Sequence, residues 1–246
     1  MLKFFRRIRQ KLLSENRFRK YLLYALGEIV LVMIGILLAL QVNNWNEDRK
    51  NASRLQGYKE SLIEDLVQDT LSISQTLQYI REGNQEIAEF ERRIELSEHP
   101  LDTLYSIARY EYNHYIAAQA DFNDDTFQIL SSTGDLALFD QEIINALTDL
   151  SNLKEDALDG NDFTWDIVLG HYQEYSRTYP VRVEHSFVQS GSKVDNLLRE
   201  EVSLKEHASL FNALVSAKKN AYRVYLDVLP GILEKSKTLI IKLRQQ

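Results

Sequence analysis

YLLYALGEIVLVMIGILLALQV, residues 21–42, is an unbroken apolar run in which Glu28 is the one ionisable side chain. A helix over its 22 residues would reach roughly 33 Å at about 1.5 Å per residue, enough to cross a hydrocarbon core of about 30 Å with slight tilt. The run therefore reads as a transmembrane helix. A cleaved signal peptide would have an apolar core of about 7 to 15 residues ending in a small-residue cleavage site. This run is longer, and no such site follows it.

Working outward, the flanks differ sharply in charge. Lys3, Arg6, Arg7, Arg9, Lys11, Arg17, Arg19 and Lys20 precede the run against Glu15 alone, whereas the ten residues after it hold only Arg49 and Lys50. The positive-inside rule then predicts a cytoplasmic N-terminus (1–20), a span (21–42) and an extracytoplasmic domain (43–246). That last segment carries 21 basic and 34 acidic side chains, a net of −13, although the whole chain stands at −7. Phosphate backbones should repel so acidic a domain, so nucleic acid is not an expected partner. The chain has no Cys, which excludes disulfides, thiolate metal sites and a lipoprotein anchor.

In the basic segment Phe4, Phe5, Ile8, Leu12 and Leu13 fall near one side of a helix whose other sides are cationic, the pattern of an in-plane interfacial helix on a lipid bilayer. Tyr21, Tyr24 and Trp45 stand where aromatic rings meet headgroups. Within the span, Gly27, Leu31, Gly35 and Ala39 recur every fourth residue, a stripe along which helix backbones can approach closely. Glu28 beside it reads either as an intramembrane functional acid or as a protonated or water-reached carboxyl near the inner interface. Gly27, Glu28, Leu31, Gly35, Ala39 and Trp45 are thus the candidate membrane and assembly residues. They suit a protein partner or a homo-oligomer.

After the span, Gly and Pro number seven and three in 204 residues, and the periodicity is helical almost throughout. Leu55, Tyr58, Leu62, Leu66, Ile73, Leu77, Ile80, Ile87 and Ile94 predict one long helix over residues 45–96, weakest at Gly57 and Gly83 and stopped by His99-Pro100. Asp102 is placed to cap a following helix, and residues 127–132 read as a short helix closed by Gly134. Asp140 caps a helix over 141–158 that Gly160 ends, and another covers 162–178. Alternation over 181–188 predicts an extended piece. A capping box, Ser203-Leu204-Lys205-Glu206, opens a last long helix with a kink expected at Pro230-Gly231. The expected fold is all-α: an N-terminal interfacial helix and a single transmembrane helix followed by an elongated antiparallel helical bundle.

Local signatures of chemistry are missing. The single Glu111-x-x-His114 lacks the second copy and the further Glu residues of a di-iron bundle. Asp121, Asn123 and Asp125 open like a calcium loop, but Thr126 and Ser132 stand where that loop needs Gly and Glu. Ser131 to Asp135 is explained by a helix stop. No phosphate loop, nucleophile elbow or dinucleotide fingerprint occurs, so neither catalysis nor a cofactor is expected. Thirteen Tyr are more distinctive. Tyr105, Tyr110, Tyr112, Tyr115, Tyr172, Tyr175, Tyr179, Tyr222 and Tyr225, with Arg109, Arg177 and Arg223, suit either a pocket or the edge of a core.

Residues 9–16 (RQKLLSEN), 20–28 (KYLLYALGE) and 41–47 (QVNNWNE) together resemble a bacterial family of single-span membrane proteins, domain of unknown function 6090. TFQILSSTGDL, residues 126–136, is similar to a later stretch of that family, with Thr133 where a Ser precedes Gly. The resemblance implies an inner-membrane protein whose bulk is periplasmic, and it brings no catalytic residues. The expected role is a membrane-anchored periplasmic scaffold or accessory subunit of an envelope assembly. The alternative is an extracytoplasmic ligand-sensing domain that signals through a partner's transmembrane helix.

Overall fold

A computed structural model describes residues 18–114, 122–179, 181, 187–189, 191–200 and 202–245. The chain divides into two units, Met1–Gly57 and Tyr58–Gln246. Helix α1, Phe18–Glu95, contributes its first part to one and its second to the other. It is the one helix among the described residues long and apolar enough to cross a membrane, by length and composition, with a mean hydropathy of 2.5 in its most apolar window. The basic interfacial segment, residues 1–17, lies outside the described residues.

In the second unit α1 buries Leu62, Leu66, Ile73, Leu77, Ile80, Ile87 and Phe90, a stripe at spacings of three, four and seven that matches the expected face and adds Phe90. Gly57 and Gly83 do not interrupt it. The helix ends before His99-Pro100, as the proline requires, and Pro100 itself opens α2, Pro100–Ser106. Asp102 is therefore in the first turn of α2 and is not its cap. Proline's fixed φ and missing N–H suit a helix start, which moves the boundary three residues earlier. A π-helical turn, Ile107–Glu111, follows and buries Ile107 and Ala108.

Helix α3, Asp125–Thr133, closes on Gly134, whose φ of 78° is the left-handed conformation that glycine adopts without penalty. A 3-10 turn, Asp135–Leu138, leads to α4, Gln141–Thr178, which starts after Asp140 as expected. Here the sequence reading needs correction: Gly160 does not end the helix, and the two expected helices are one. The buried stripe Leu150, Ala157, Thr164, Val168 and Tyr175 keeps helical register across Gly160, and the Thr164 hydroxyl donates to the Gly160 carbonyl at 2.8 Å. An internal glycine costs only about 1 kcal/mol against alanine, less than that stripe contributes by burial. A methyl group at 160 would meet nothing within 4 Å. Gly160→Ala should accordingly raise stability by about 0.5–1 kcal/mol, read as a higher melting temperature of the full chain in detergent. A helix broken at 160 would gain nothing from it.

The extended piece expected over 181–188 falls mostly on residues outside those described, and no strand occurs among the described residues. Short α5 covers Lys193–Leu198, and α6 runs Leu204–Gln245 as one continuous helix with Pro230 inside it. Leu229 and Ile232, both fully buried, hold the helix on either side of the proline. The Ser203 hydroxyl accepts the Glu206 N–H at 3.4 Å, one half of the expected capping box.

Within the second unit α6 runs against both other long helices. Glu142 pairs with Lys242, Trp165 with Tyr225 and Tyr175 with His207, so α4 and α6 are antiparallel. Glu91 with Lys219, and Gly83 against Tyr222, make α1 antiparallel to α6 as well. The fold is all-α, as expected.

Candidate functional site

The six membrane residues share the first part of α1. Gly27, Leu31, Gly35, Ala39 and Trp45 are exposed, Glu28 is partly covered, and a methyl group at Gly27 or Gly35 would meet nothing within 4 Å. The Arg49 guanidinium stands 6.0 Å from the Trp45 ring. A second group of residues, in the other unit, is assembled from all three long helices.

The π turn delivers the chain to Tyr112 in extended conformation, so that Tyr112, Asn113 and His114 pass between α1, α4 and α6. From α6 come His207, Phe211, Leu214, Lys218 and Tyr222, spaced four, three, four and four apart on one helical face. Tyr175 and Tyr179 come from α4, and Tyr79, Gly83, Glu86 and Phe90 from α1. His114 is 4 % exposed and stacks on Tyr175 at 5.7 Å, with Tyr112 edge-on at 5.0 Å. Neither of its ring nitrogens has a hydrogen-bond partner. Burial, then the nearby Lys218 cation, lowers its pKa to about 4. His207 lies among Tyr105, Tyr179 and Phe211 and shares a 2.9 Å hydrogen bond with the Tyr175 hydroxyl. Burial, with Arg199 adding to it, brings His207 to about 4 as well. Both imidazoles are neutral at pH 7.

Lys218 extends along the cluster toward a cleft of about 310 Å³ lined by Tyr79, Glu82, Gly83, Glu86, Tyr112 and Tyr222, among others. Its ammonium donates to the Asn113 carbonyl at 3.2 Å and lies 5.1 and 5.6 Å from the Tyr112 and Tyr222 rings. Desolvation lowers its pKa to about 8, against the opposing pull of Glu86. Gly83 is required here for space: a Cβ at that position would sit 3.1 Å from Tyr222 Cε2. The glycine expected to weaken α1 is where the Tyr222 ring of α6 packs against it.

Two buried ion-pair clusters brace the unit. Asp195, 1 % exposed, accepts hydrogen bonds from Arg109 (2.6 Å), Arg199 (2.7 Å) and the Gly191 N–H (2.8 Å). Burial opposes its ionisation, but these bonds outweigh it and hold the carboxyl at about 2. Lys154 binds Asp69 and Asp124 at 2.6 and 2.7 Å. Asp69 in turn accepts the Asn123 N–H, so one residue of the calcium-like spacing, Asn123, serves to dock this turn on α1. The hydroxyls of Ser131, Ser132 and Thr133 bond back to α3 carbonyls, consistent with a helix stop.

Of the tyrosines singled out in sequence, the structure gathers Tyr105, Tyr112, Tyr175, Tyr179 and Tyr222. Tyr225 pairs with Trp165 elsewhere, Tyr110 is exposed beside Arg109, and Tyr115 lies outside the described residues. Arg223 pairs with Asp227 at the surface. Glu111 and His114 diverge, the former bonding Arg93 and the latter entering the core. The sequence reading missed Phe211, His207, Lys218, Arg199 and Asp195. A signal existed for two of these: His207 and Lys218 interrupt an otherwise apolar stripe on α6.

The span of chain that supplies the α1 wall of this cleft also carries the clearest likeness to other proteins. Residues 28–111 match the family of unknown function DUF6090. The match takes in most of α1, α2 and the π turn, including Glu28, Leu31, Gly35, Ala39 and Trp45, and it ends just before Tyr112. Among the stretches that carried the resemblance, 41–47 lies inside the DUF6090 match, whereas 9–16 and 126–136 lie outside it. No curated protein and no solved structure matches the chain.

Proposed function

We propose that this chain is a membrane-anchored helical accessory subunit, or scaffold, of a bacterial envelope assembly, without catalytic activity of its own. In this reading the basic N-terminus is cytoplasmic and residues 43–246 are periplasmic. The observation that carries it is the bareness of the apolar run: in residues 22–42 only Tyr24, Ala25 and Glu28 are even partly covered. So much exposed apolar surface requires lipid, another helix or both. The Gly27, Leu31, Gly35 and Ala39 stripe supplies the close-packing side, and Glu28 next to it supplies a polar group for a neighbouring span.

Gentle solubilisation of the full chain should co-purify a defined partner or yield a homo-oligomer. Gly35→Leu and Glu28→Leu should each weaken that association while leaving membrane insertion unchanged. A monodisperse monomer, indifferent to both changes, would sink the proposal. A periplasm-dependent reporter fused to the C-terminus should be active, and its silence would reverse the orientation.

A further inference from the structure

The Tyr112 hydroxyl lines the cleft beside Lys218 and has no hydrogen-bond partner, although Tyr112 is only 3 % exposed. The Tyr222 hydroxyl, on the same wall, has Tyr79 as its side-chain neighbour. A buried polar group left unsatisfied costs about 1–3 kcal/mol, so the unpaired Tyr112 phenol facing this cleft calls for an explanation. Burial raises both phenols above their ordinary range, which keeps them protonated and able to donate. With the Lys218 ammonium close to both rings, this wall presents three groups able to donate, beside Asn113.

The opposite wall, from α1, has the reverse character. Glu82 and Glu86 line it one turn apart, Glu82 accepting a hydrogen bond from Gln78, and Ile87 adds a short apolar surface. A polyanion such as a nucleotide would meet these two carboxylates and be repelled. A simple cation would meet Lys218 already seated against the aromatic rings. The complement of both walls is a small molecule that carries a carboxylate and an ammonium close together. A cleft of about 310 Å³ is at the small end of the range for ligand sites.

We propose that this cleft binds a free α-amino acid, its carboxylate held by Lys218, Tyr112 and Tyr222 and its ammonium by Glu86 and Glu82. The site is independent of the scaffold role, since it draws only on residues of the second unit.

The test is thermal unfolding of the full chain in detergent with each common L-amino acid in turn, and with acetate and ethylammonium as the two half-ligands. At least one amino acid should raise the melting temperature saturably, and neither half-ligand should match it. Tyr112→Phe should leave the ligand-free melting temperature within a few degrees, because its hydroxyl has no partner to lose, yet weaken apparent affinity by about tenfold or more, as expected for a lost bond to a charged group. Glu86→Gln, at the exposed rim, should weaken amino-acid binding without weakening any response to acetate. The proposal is overturned if no amino acid shifts the transition. It is equally overturned if acetate alone reproduces the shift, which would make the cleft a simple anion site, or if the shift survives both substitutions undiminished.

Discussion

Lys154→Met should destabilise the fold by about 3–5 kcal/mol, the range for breaking a buried ion pair by removing one partner. Lys154 is 2 % exposed and is the cation that α4 inserts between Asp69 of α1 and Asp124 at the start of α3. Methionine nearly keeps the length and volume of the stem but leaves the Asp69 carboxylate buried, with only the Asn123 N–H to satisfy it. The double variant Lys154→Met, Asp69→Leu should recover a large part of the loss, because both charges then leave together. Urea titration of the full chain in micelles measures both. A single variant within about 1 kcal/mol of the parent would mean that solvent reaches this pair, and that it behaves as a surface bridge.

Acidification from neutral pH to about pH 4 should destabilise the chain progressively, and His114 alone should account for roughly 3 kcal/mol of it. The sign follows from where the proton goes. In the unfolded chain the imidazole takes up its proton near 6.5, whereas the folded chain resists until about 4. Between those values the unfolded state holds more protons, so stability falls as pH falls, and it levels off below about 4. His207 acts in the same direction over the same window. Asp195 does not contribute there. Its carboxyl is held at about 2 against an ordinary 3.8, so its contribution persists down to pH 3.8 and is lost only below that. Melting temperature against pH is the measurement. His114→Gln should flatten the curve, and a parent curve already flat between pH 6.5 and 4 would show that these rings are not buried neutral.

The extent of α1 was legible because a stripe at spacings of three, four and seven persists from Leu62 to Ile87, and burial of such a stripe outweighs two glycines. Gly160 misled for the same reason in reverse. Read locally it is a helix stop, but Ala157, Thr164 and Val168 keep register across it, and tertiary packing decides. The aromatic site was legible only as an excess of tyrosine. Nothing local says that Tyr112, Tyr175 and Tyr222 meet, because their proximity depends on how α4 and α6 are laid against α1. Lys218 and His207 were readable as polar positions on an apolar face, and so was their anomaly, though not their neighbours. Asp195 and Arg199 lie on or beside a helix of six residues, too short for a periodicity to be read, and the pairing of Asp195 with Arg109 bridges 86 residues of chain.

The contact between α1 and α6 sets the order in which this protein can be made. Glu91 and Lys219 are 128 residues apart, and it is Tyr222 of α6 that packs against Gly83. While the chain emerges N-terminus first, the Ile87 and Phe90 end of the α1 stripe is complete long before Phe211, Leu214 and Ala221 of α6 exist to pack with it. Long-range pairing of this kind slows folding relative to bundles built from sequential hairpins. During that interval the nascent domain exposes an apolar helix face, the kind of surface through which incomplete chains aggregate.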